Sequence, residues 1–193
     1  MDPTEAERSF LSRVSEVLLS LPFDLKALQE AASDPDLDRS AREAAAGAIV
    51  HTLLPQEGDG PLRYIDDVFL VRAAFLAVQA RGGEAFGSFH ARFAEIYERL
   101  PDDVQLFEQQ LGPLWNWLVS KIDQFPKLAY KSKRAAQYLG SEEELAQLYE
   151  EGLEFETNFN VTEQQVKNRL RRADQIVELL NRRHAEERKK LAL

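Results

Sequence analysis

The stretch that decides the fold is AAGAIVHTLLPQEGDGPLRYIDDVFLVRAAFLA, residues 45–77. An apolar helical pattern runs into a short loop rich in proline and glycine, and a second apolar helical pattern follows. That second pattern opens with two adjacent acids, Asp66 and Asp67. Adjacent carboxylates beside apolar residues are costly unless they are hydrogen-bonded, solvated or bound to a metal. The stretch therefore predicts two apolar helices and, at the start of the second, either helix-start residues or a functional site.

The composition of the whole chain is typical of a folded helical protein. Of the 193 residues, 44% are hydrophobic and 30% are charged, and only nine are glycine. Helix-forming residues such as alanine, leucine and glutamate are abundant, whereas β-branched residues are few. We therefore predict an all-α multi-helix bundle with a charged C-terminal helical extension that ends in a long helix.

Composition also excludes several classes of protein. The sequence has no cysteine, which excludes disulfides, thiolate metal sites and thiol catalysis. The longest apolar stretch, around residues 68–78, is interrupted by Arg72 and is too short to span a bilayer. The first residues, MDPTEAERS, are polar and show no signal-peptide pattern. We therefore expect a cytoplasmic protein without a transmembrane segment.

Three helix starts can be read from capping residues. Asp2 followed by Pro3 predicts the start of the first helix, because proline suits the first helical position. Ser141 precedes three glutamates, and carboxylates in the first turn favour a helix start. Thr162 predicts the start of the last helix.

The C-terminal third differs from the rest in composition. Residues 127–139 predict a basic amphipathic helix, and residues 162–190 predict one long helix. The change in composition near Pro126 predicts a helical core over residues 1–125 and a charged helical region over residues 126–193.

Three short motifs between residues 25 and 78 resemble a known family. An Asp-Pro turn at 34–35 precedes a basic residue and an alanine-rich helix, Leu-Leu-Pro stands at 53–55, and Tyr-Ile-Asp-Asp-Val-Phe stands at 64–69. This pattern resembles the YkvA-like family, a bacterial helical domain of unknown function. The resemblance implies an all-helical fold and no particular activity. The polar loop PQEGDGP at 55–61 is shorter than the apolar loop usual in that family, so membrane association of the kind seen in many relatives is not implied here.

The acids of the opening stretch form one candidate site. Asp66 and Asp67 lie close in sequence to Glu57, Asp59 and His51, which are oxygen and nitrogen ligands. Hard divalent cations need several such oxygens converging on one point. These five residues are therefore the candidate metal ligands of a small divalent-metal-dependent enzyme.

A structural role for the two aspartates is the alternative. One of them can cap the apolar helix, or the pair can bind Arg63 or Arg72. Neighbouring residues on a helix point about 100° apart, so both carboxylates reach one ion only from irregular backbone. We therefore expect the pair to serve structure more than catalysis.

Catalytic motifs are otherwise missing from the sequence. The three histidines are scattered, and there is no zinc-protease, Walker or dinucleotide-binding pattern. This favours a non-enzymatic protein over an enzyme, and no cofactor is predicted.

The net charge of −9 is unevenly distributed. Lys127, Lys131, Lys133 and Arg134 form a basic segment, and residues 140–160 follow with seven acids and no base. The basic segment can bind phosphate, a peripheral anionic lipid or an acidic protein. Alternatively, the acidic helix folds back and neutralises it within the chain. Nucleic-acid binding is not expected beside so acidic a block.

The last predicted helix carries a narrow apolar stripe that includes Leu170, Val177 and Leu180. Such a helix must bury its stripe against the core or against another chain. The charged end HAEERKK, residues 184–190, is expected to project into solvent or toward a partner. We therefore favour a non-enzymatic interaction or scaffold protein that acts through its charged C-terminal helices, by self-association or by binding a protein partner.

Overall fold

The computed structural model describes residues 4–192, and it confirms the all-α prediction. The α-helices of these residues are α1 (Glu5–Leu19), α2 (Leu21–Ser33), α3 (Arg39–Leu53), α4 (Ile65–Arg81), α5 (Phe86–Arg92), α6 (Ala94–Leu111), α7 (Pro113–Ser120), α8 (Glu142–Asn158), α9 (Glu163–Arg169) and α10 (Ala173–Leu191). Two strands form a small antiparallel hairpin, β1 (Ala129–Tyr130) and β2 (Lys133–Arg134). Short 3₁₀ helices span Gly60–Tyr64, Lys121–Lys127 and Ala135–Leu139.

The centre of the bundle is the pair of helices from the opening stretch. α3 and α4 pack on each other, and α2 packs on both of them. Thirteen of the seventeen residues of α4 are buried, which explains why its sequence is apolar on every face rather than along one stripe. The prediction of two apolar helices around a proline-glycine loop is therefore confirmed.

Gly47 lets the chain cross α3 at very short range. A Cβ added to Gly47 would overlap the Cβ of Phe125 and would lie 2.8 Å from the Cα and carbonyl carbon of Phe125. Phe125 belongs to the 3₁₀ helix Lys121–Lys127, whose buried side chains pack on α3. Only glycine leaves room for main chain at this crossing.

Two of the three predicted helix starts are confirmed. Ser141 Oγ accepts a hydrogen bond from the amide of Glu144 at 3.2 Å, and Thr162 forms a capping box with Gln165. The helix that begins after Thr162 is α9, however, and not the last helix. The predicted start at Asp2 and Pro3 lies outside the described residues. The described part of α1 begins at Glu5 with a capping box between Thr4 and Glu7.

The prediction of a basic helix over residues 127–139 is wrong. This segment forms the β1–β2 hairpin followed by a 3₁₀ helix. The two turn residues, Lys131 and Ser132, have φ of 47° and 68°, as the favoured two-residue hairpin turns require. Tyr138 Oη donates to the carbonyl of Tyr130 at 2.9 Å and fastens the 3₁₀ helix to the hairpin. These tertiary contacts override the helix propensity of the segment.

The prediction of one helix over residues 162–190 is also wrong. α9 ends at Arg169, and three non-helical residues precede α10. Arg172 is fully extended, with φ −142° and ψ 139°. Apolar residues before, inside and after the break are all buried, namely Val166, Leu170, Ile176 and Leu180. The break therefore lets α9 and α10 each bury apolar side chains in the core. A single straight helix with so narrow an apolar stripe could not do this along its whole length.

Residues on both sides of the predicted boundary near 126 belong to one hydrophobic core. The boundary itself falls inside the 3₁₀ helix Lys121–Lys127, which packs on α3. Farther along the chain, α8 packs on α2, and α10 packs on α1 and α7. Among the helices of residues 4–192, none has the length and apolar character needed to cross a membrane.

Candidate functional site

The side chain of Asp67 joins α3 and α4, the two helices of the opening stretch. It is 1% exposed, and its Oδ1 accepts a hydrogen bond from Thr52 Oγ1 at 3.0 Å. His51 Nδ1 lies 2.8 Å from the same oxygen. His51 and Thr52 stand in the last turn of α3, so the buried carboxylate fixes the end of α3 against the start of α4.

Asp66 contacts a residue that is remote in sequence. Arg183 Nη1, in α10, lies 2.7 Å from Asp66 Oδ1. Arg183 Nη2 also donates to the main-chain carbonyls of Glu57 and Leu62, at 2.8 and 3.3 Å. Arg183 therefore ties α10 to the loop before α4 as well as to α4 itself.

Asp66 and Asp67 contact side chains other than those predicted for them. The N-cap of α4 is Tyr64, and no side chain caps this helix. Arg72 binds Asp24 and Asp103 instead. The predicted pairing with Arg63 or Arg72 is therefore replaced by pairing with His51 and Arg183.

The five candidate metal ligands do not converge. Glu57 and Asp59 are exposed on the loop before α4, and Glu57 meets Arg183 only through its main-chain carbonyl. Within residues 4–192, no group of three or more histidine, aspartate or glutamate side chains is placed to hold a metal ion. The structure thus supplies no ligand set for the metal-dependent alternative.

We expect Mg²⁺, Mn²⁺ and Zn²⁺ to leave the melting temperature unchanged. Asp66 is already neutralised by Arg183, and Asp67 is held by His51 and Thr52, so an added ion would have to displace these contacts. Differential scanning fluorimetry of the wild-type protein with each ion tests this. A gain of several degrees that disappears in Asp66→Asn would show that the pair binds metal.

A polar cavity of about 280 Å³ lies beside His51. Because a carboxylate only accepts hydrogen bonds, Asp67 holds the hydrogen of His51 on Nδ1 and leaves Nε2 as the acceptor of the neutral ring. Such a histidine can take up a proton from a bound molecule. The residues that line this cavity include no serine, threonine, tyrosine or cysteine, so the cavity wall contains no hydroxyl or thiol nucleophile.

One side of the C-terminal end of α10 packs on the rest of the bundle and does not project into solvent. The ring of His184 stacks on Trp117 with centroids 4.7 Å apart, and Trp117 Nε1 donates to Glu187 at 3.0 Å. Lys121 lies 3.0 Å from Glu187 as well. The expectation that residues 184–190 project into solvent therefore applies only to the outer side of this segment.

The apolar stripe predicted to bind a partner is used within the chain. Leu170 and Leu180 are buried, and Val177 is half-buried against the same core. Of the two outcomes predicted for the last helix, packing on the core is the one observed for these side chains.

The basic segment is neutralised by the acidic helix, as one of the two sequence interpretations expected. Lys131 pairs with Glu151, and Lys133 pairs with Glu144. Partial burial alone would raise the pKa of Glu151, but hydrogen bonds from Lys131 and Tyr130 lower it below its ordinary value. The packing element is the β1–β2 hairpin, not the predicted helix. The other two basic candidates, Lys127 and Arg134, are exposed.

Sequence reasoning missed a buried ionic network between four helices. Arg72 in α4 is 4% exposed, and it lies 3.1 Å from Asp24 of α2 and 2.9 Å from Asp103 of α6. Asp103 also accepts from Arg13 of α1, with Nη2 at 2.8 Å. Burial raises the pKa of Asp24, and its contacts with Arg72 and Ser20 oppose that effect only in part. The signal was present in the sequence as a single arginine inside an apolar helix.

The outer side of α8 was also missed. Tyr149 and Leu153, one turn apart, are 38% and 39% exposed. Five acids of α8 are exposed as well, and with these two residues they make up what we term the acidic face: Glu142, Glu143, Glu150, Glu154 and Glu156. Large apolar side chains flanked by charge on one exposed helix face are typical of a protein-binding surface.

Comparison of the chain with models of protein families, with curated protein sequences and with solved structures gives no match. The resemblance to the YkvA-like family therefore stays a prediction.

Proposed function

We propose that this is a non-enzymatic interaction or scaffold protein that acts through its charged C-terminal region. The observation that carries the proposal is the acidic face of α8, where Tyr149 and Leu153 remain exposed although α8 buries its other side against α2. Aromatic and aliphatic side chains on a helix face serve as the anchors of helix-mediated contacts.

The charge of this face defines the chemistry of the partner. Glu144 and Glu151 are neutralised by Lys133 and Lys131 of the hairpin, whereas the five acids of the acidic face take part in no ion pair among residues 4–192. Like charges on one helix repel each other, and a positively charged partner relieves that repulsion. The partner is therefore a basic amphipathic helical segment whose apolar side covers Tyr149 and Leu153.

The size of the face sets the expected strength of binding. Two partly exposed apolar side chains offer a small apolar area, so most of the attraction is between exposed charges, and salt screens such charges. We therefore expect weak binding that falls steeply with ionic strength.

A labelled basic amphipathic peptide, with leucine and lysine at helical spacing, tests the proposal by fluorescence anisotropy. Charge reversal in Glu150→Lys with Glu154→Lys should weaken binding by about tenfold or more, since close charge pairs across an interface contribute strongly. The matched control is Glu98→Lys with Glu108→Lys, which changes the net charge equally at exposed positions of α6.

For the control, we expect the dissociation constant of the peptide to change by about twofold at most, because only the long-range electrostatic field is altered. Tyr149→Ala with Leu153→Ala should also weaken binding, without any change in charge. Equal weakening by the α8 and α6 reversals would mean that the peptide responds to net charge alone, and the proposed binding face would be wrong.

A second candidate function is a small hydrolase-like enzyme centred on Asp66 and Asp67. The contact of 2.8 Å between His51 Nδ1 and Asp67 Oδ1 favours it, because His51 also lines the polar cavity. The experiment with divalent ions described above tests its metal-dependent form.

A further inference from the structure

The outer side of α10 is a basic surface that the core does not use. Arg183, His184 and Glu187 hold one side of α10 on the bundle. The opposite side is exposed, and its residues at spacings of three and four form what we term the basic face: Arg182, Ala185, Arg188, Lys189 and Ala192. Glu178 lies one turn before Arg182 on the same side.

The bases of this face are not neutralised within the described chain. The ion pairs of α10 use Arg183, Glu187 and Asp174, and no ion pair among residues 4–192 involves Arg182, Arg188 or Lys189. Among residues 4–192, the ion pairs of α8 run to the hairpin. The chain therefore presents an acidic helix face and a basic helix face, and the charges of the two faces do not pair with each other within one chain.

Shape adds to this charge complementarity. Alanines at 185 and 192 are two turns apart on the basic face and allow a neighbouring helix to approach closely, whereas the acidic face presents the large side chains of Tyr149 and Leu153. Large residues on one helix pack against small residues on the other. Leu191, at the edge of this surface and 81% exposed, adds apolar area.

We infer that the acidic face of α8 binds the basic face of α10 from a second copy of this chain. This inference rests on the proposed function, since it names the partner of the same α8 surface. Two reciprocal contacts, α8 on α10 and α10 on α8, close a twofold dimer, whereas a single contact repeated from copy to copy builds rings or open chains. Its exposed charges make the association dependent on salt.

Sedimentation velocity of the full chain, over a concentration series at about 50 mM and about 500 mM NaCl, measures the association directly. The wild-type protein should associate at low salt and dissociate at high salt. Two charge reversals, Glu150→Lys with Glu154→Lys on α8 and Arg188→Glu with Lys189→Glu on α10, should each abolish the association. An equimolar mixture of these two variants should restore association, because the unaltered acidic face of one variant meets the unaltered basic face of the other, so the mixture alone does not test the reversed faces.

The decisive sample is therefore the chain that carries all four substitutions. Its reversed faces are again opposite in charge, so it should regain association to within about threefold of the wild-type constant. The matched controls are Glu98→Lys with Glu108→Lys and Arg169→Glu with Arg171→Glu, which make the same changes in net charge at exposed positions outside both faces. Both controls should associate like the wild type.

The outcomes that contradict the inferred contact can be told apart from those that contradict the proposed function. Association that survives either reversal, or a fourfold variant that stays monomeric while folded by circular dichroism, overturns the inferred contact. A wild-type chain that is monomeric under all conditions but binds the basic peptide overturns the second copy as partner and leaves the proposed function standing. A monomer that also fails to bind the peptide overturns both.

Discussion

Replacing Arg72 by methionine is expected to lower the free energy of unfolding by about 3–5 kcal/mol at neutral pH, as is usual when one member of a buried ionic group is removed. Arg72 is the cation between Asp24 and Asp103, and all three side chains are buried. Methionine fills similar space but leaves Asp24 without its cation and Asp103 with Arg13 alone. Because the network joins α1, α2, α4 and α6, the loss should affect the whole bundle.

Urea denaturation measures this loss, and Arg39→Met is its control. Arg39 pairs with Glu43 on the exposed side of α3, and such pairs contribute about 0–1 kcal/mol. Adding Asp24→Asn and Asp103→Asn to Arg72→Met should recover part of the lost stability, because the unpaired charges are then removed as well. A loss for Arg72→Met no greater than that of the control would show that the network contributes little to stability.

The sequence was most informative where local chemistry decides the structure. The apolar pattern around the loop at 55–61 predicted α3 and α4, and the side chains of Ser141 and Thr162 predicted two helix starts. In each case the residues that determine the element lie within a few positions of it. Apolar periodicity and capping are contacts of this short range, so one sequence is enough to read them.

The wrong predictions concern segments whose structure depends on residues that are distant in the sequence. Lys131 and Ser132 adopt positive φ without the glycine or asparagine that normally marks a hairpin turn. What holds the hairpin is a set of contacts with Tyr138 and with Glu144 and Glu151 of α8. None of these contacts is visible in the pattern of residues 127–139 alone.

The candidate site shows the same division. Two carboxylates at the start of an apolar helix indicated a need for partners, and both have them. The identity of one partner could not be read from the sequence, because Arg183 stands 117 positions from Asp66. Arg72 is different: an arginine that interrupts a buried helix already implies buried acids nearby. We predicted Asp66 and Asp67 as possible partners, whereas its partners are Asp24 and Asp103.

The second large effect is expected at Gly47, where Gly47→Ala should lower the free energy of unfolding by about 1–3 kcal/mol through overpacking. A new Cβ would overlap the side chain of Phe125 and come within 2.8 Å of its main chain. Main chain yields less readily than a flexible side chain, so α3 and the 3₁₀ helix Lys121–Lys127 would have to separate. This strain outweighs the gain in helix propensity, which is at most about 1 kcal/mol.

Gly87→Ala separates the two effects, because Gly87 is also helical but has open space around its Cα. Alanine there should raise the free energy of unfolding by about 0.5–1 kcal/mol through helix propensity alone. Opposite signs for the two variants in parallel urea titrations would establish that the close crossing at Phe125, rather than glycine itself, determines the residue at 47. If Gly47→Ala stabilises the protein as Gly87→Ala does, the main chain at Phe125 lies farther from α3 than the structure places it.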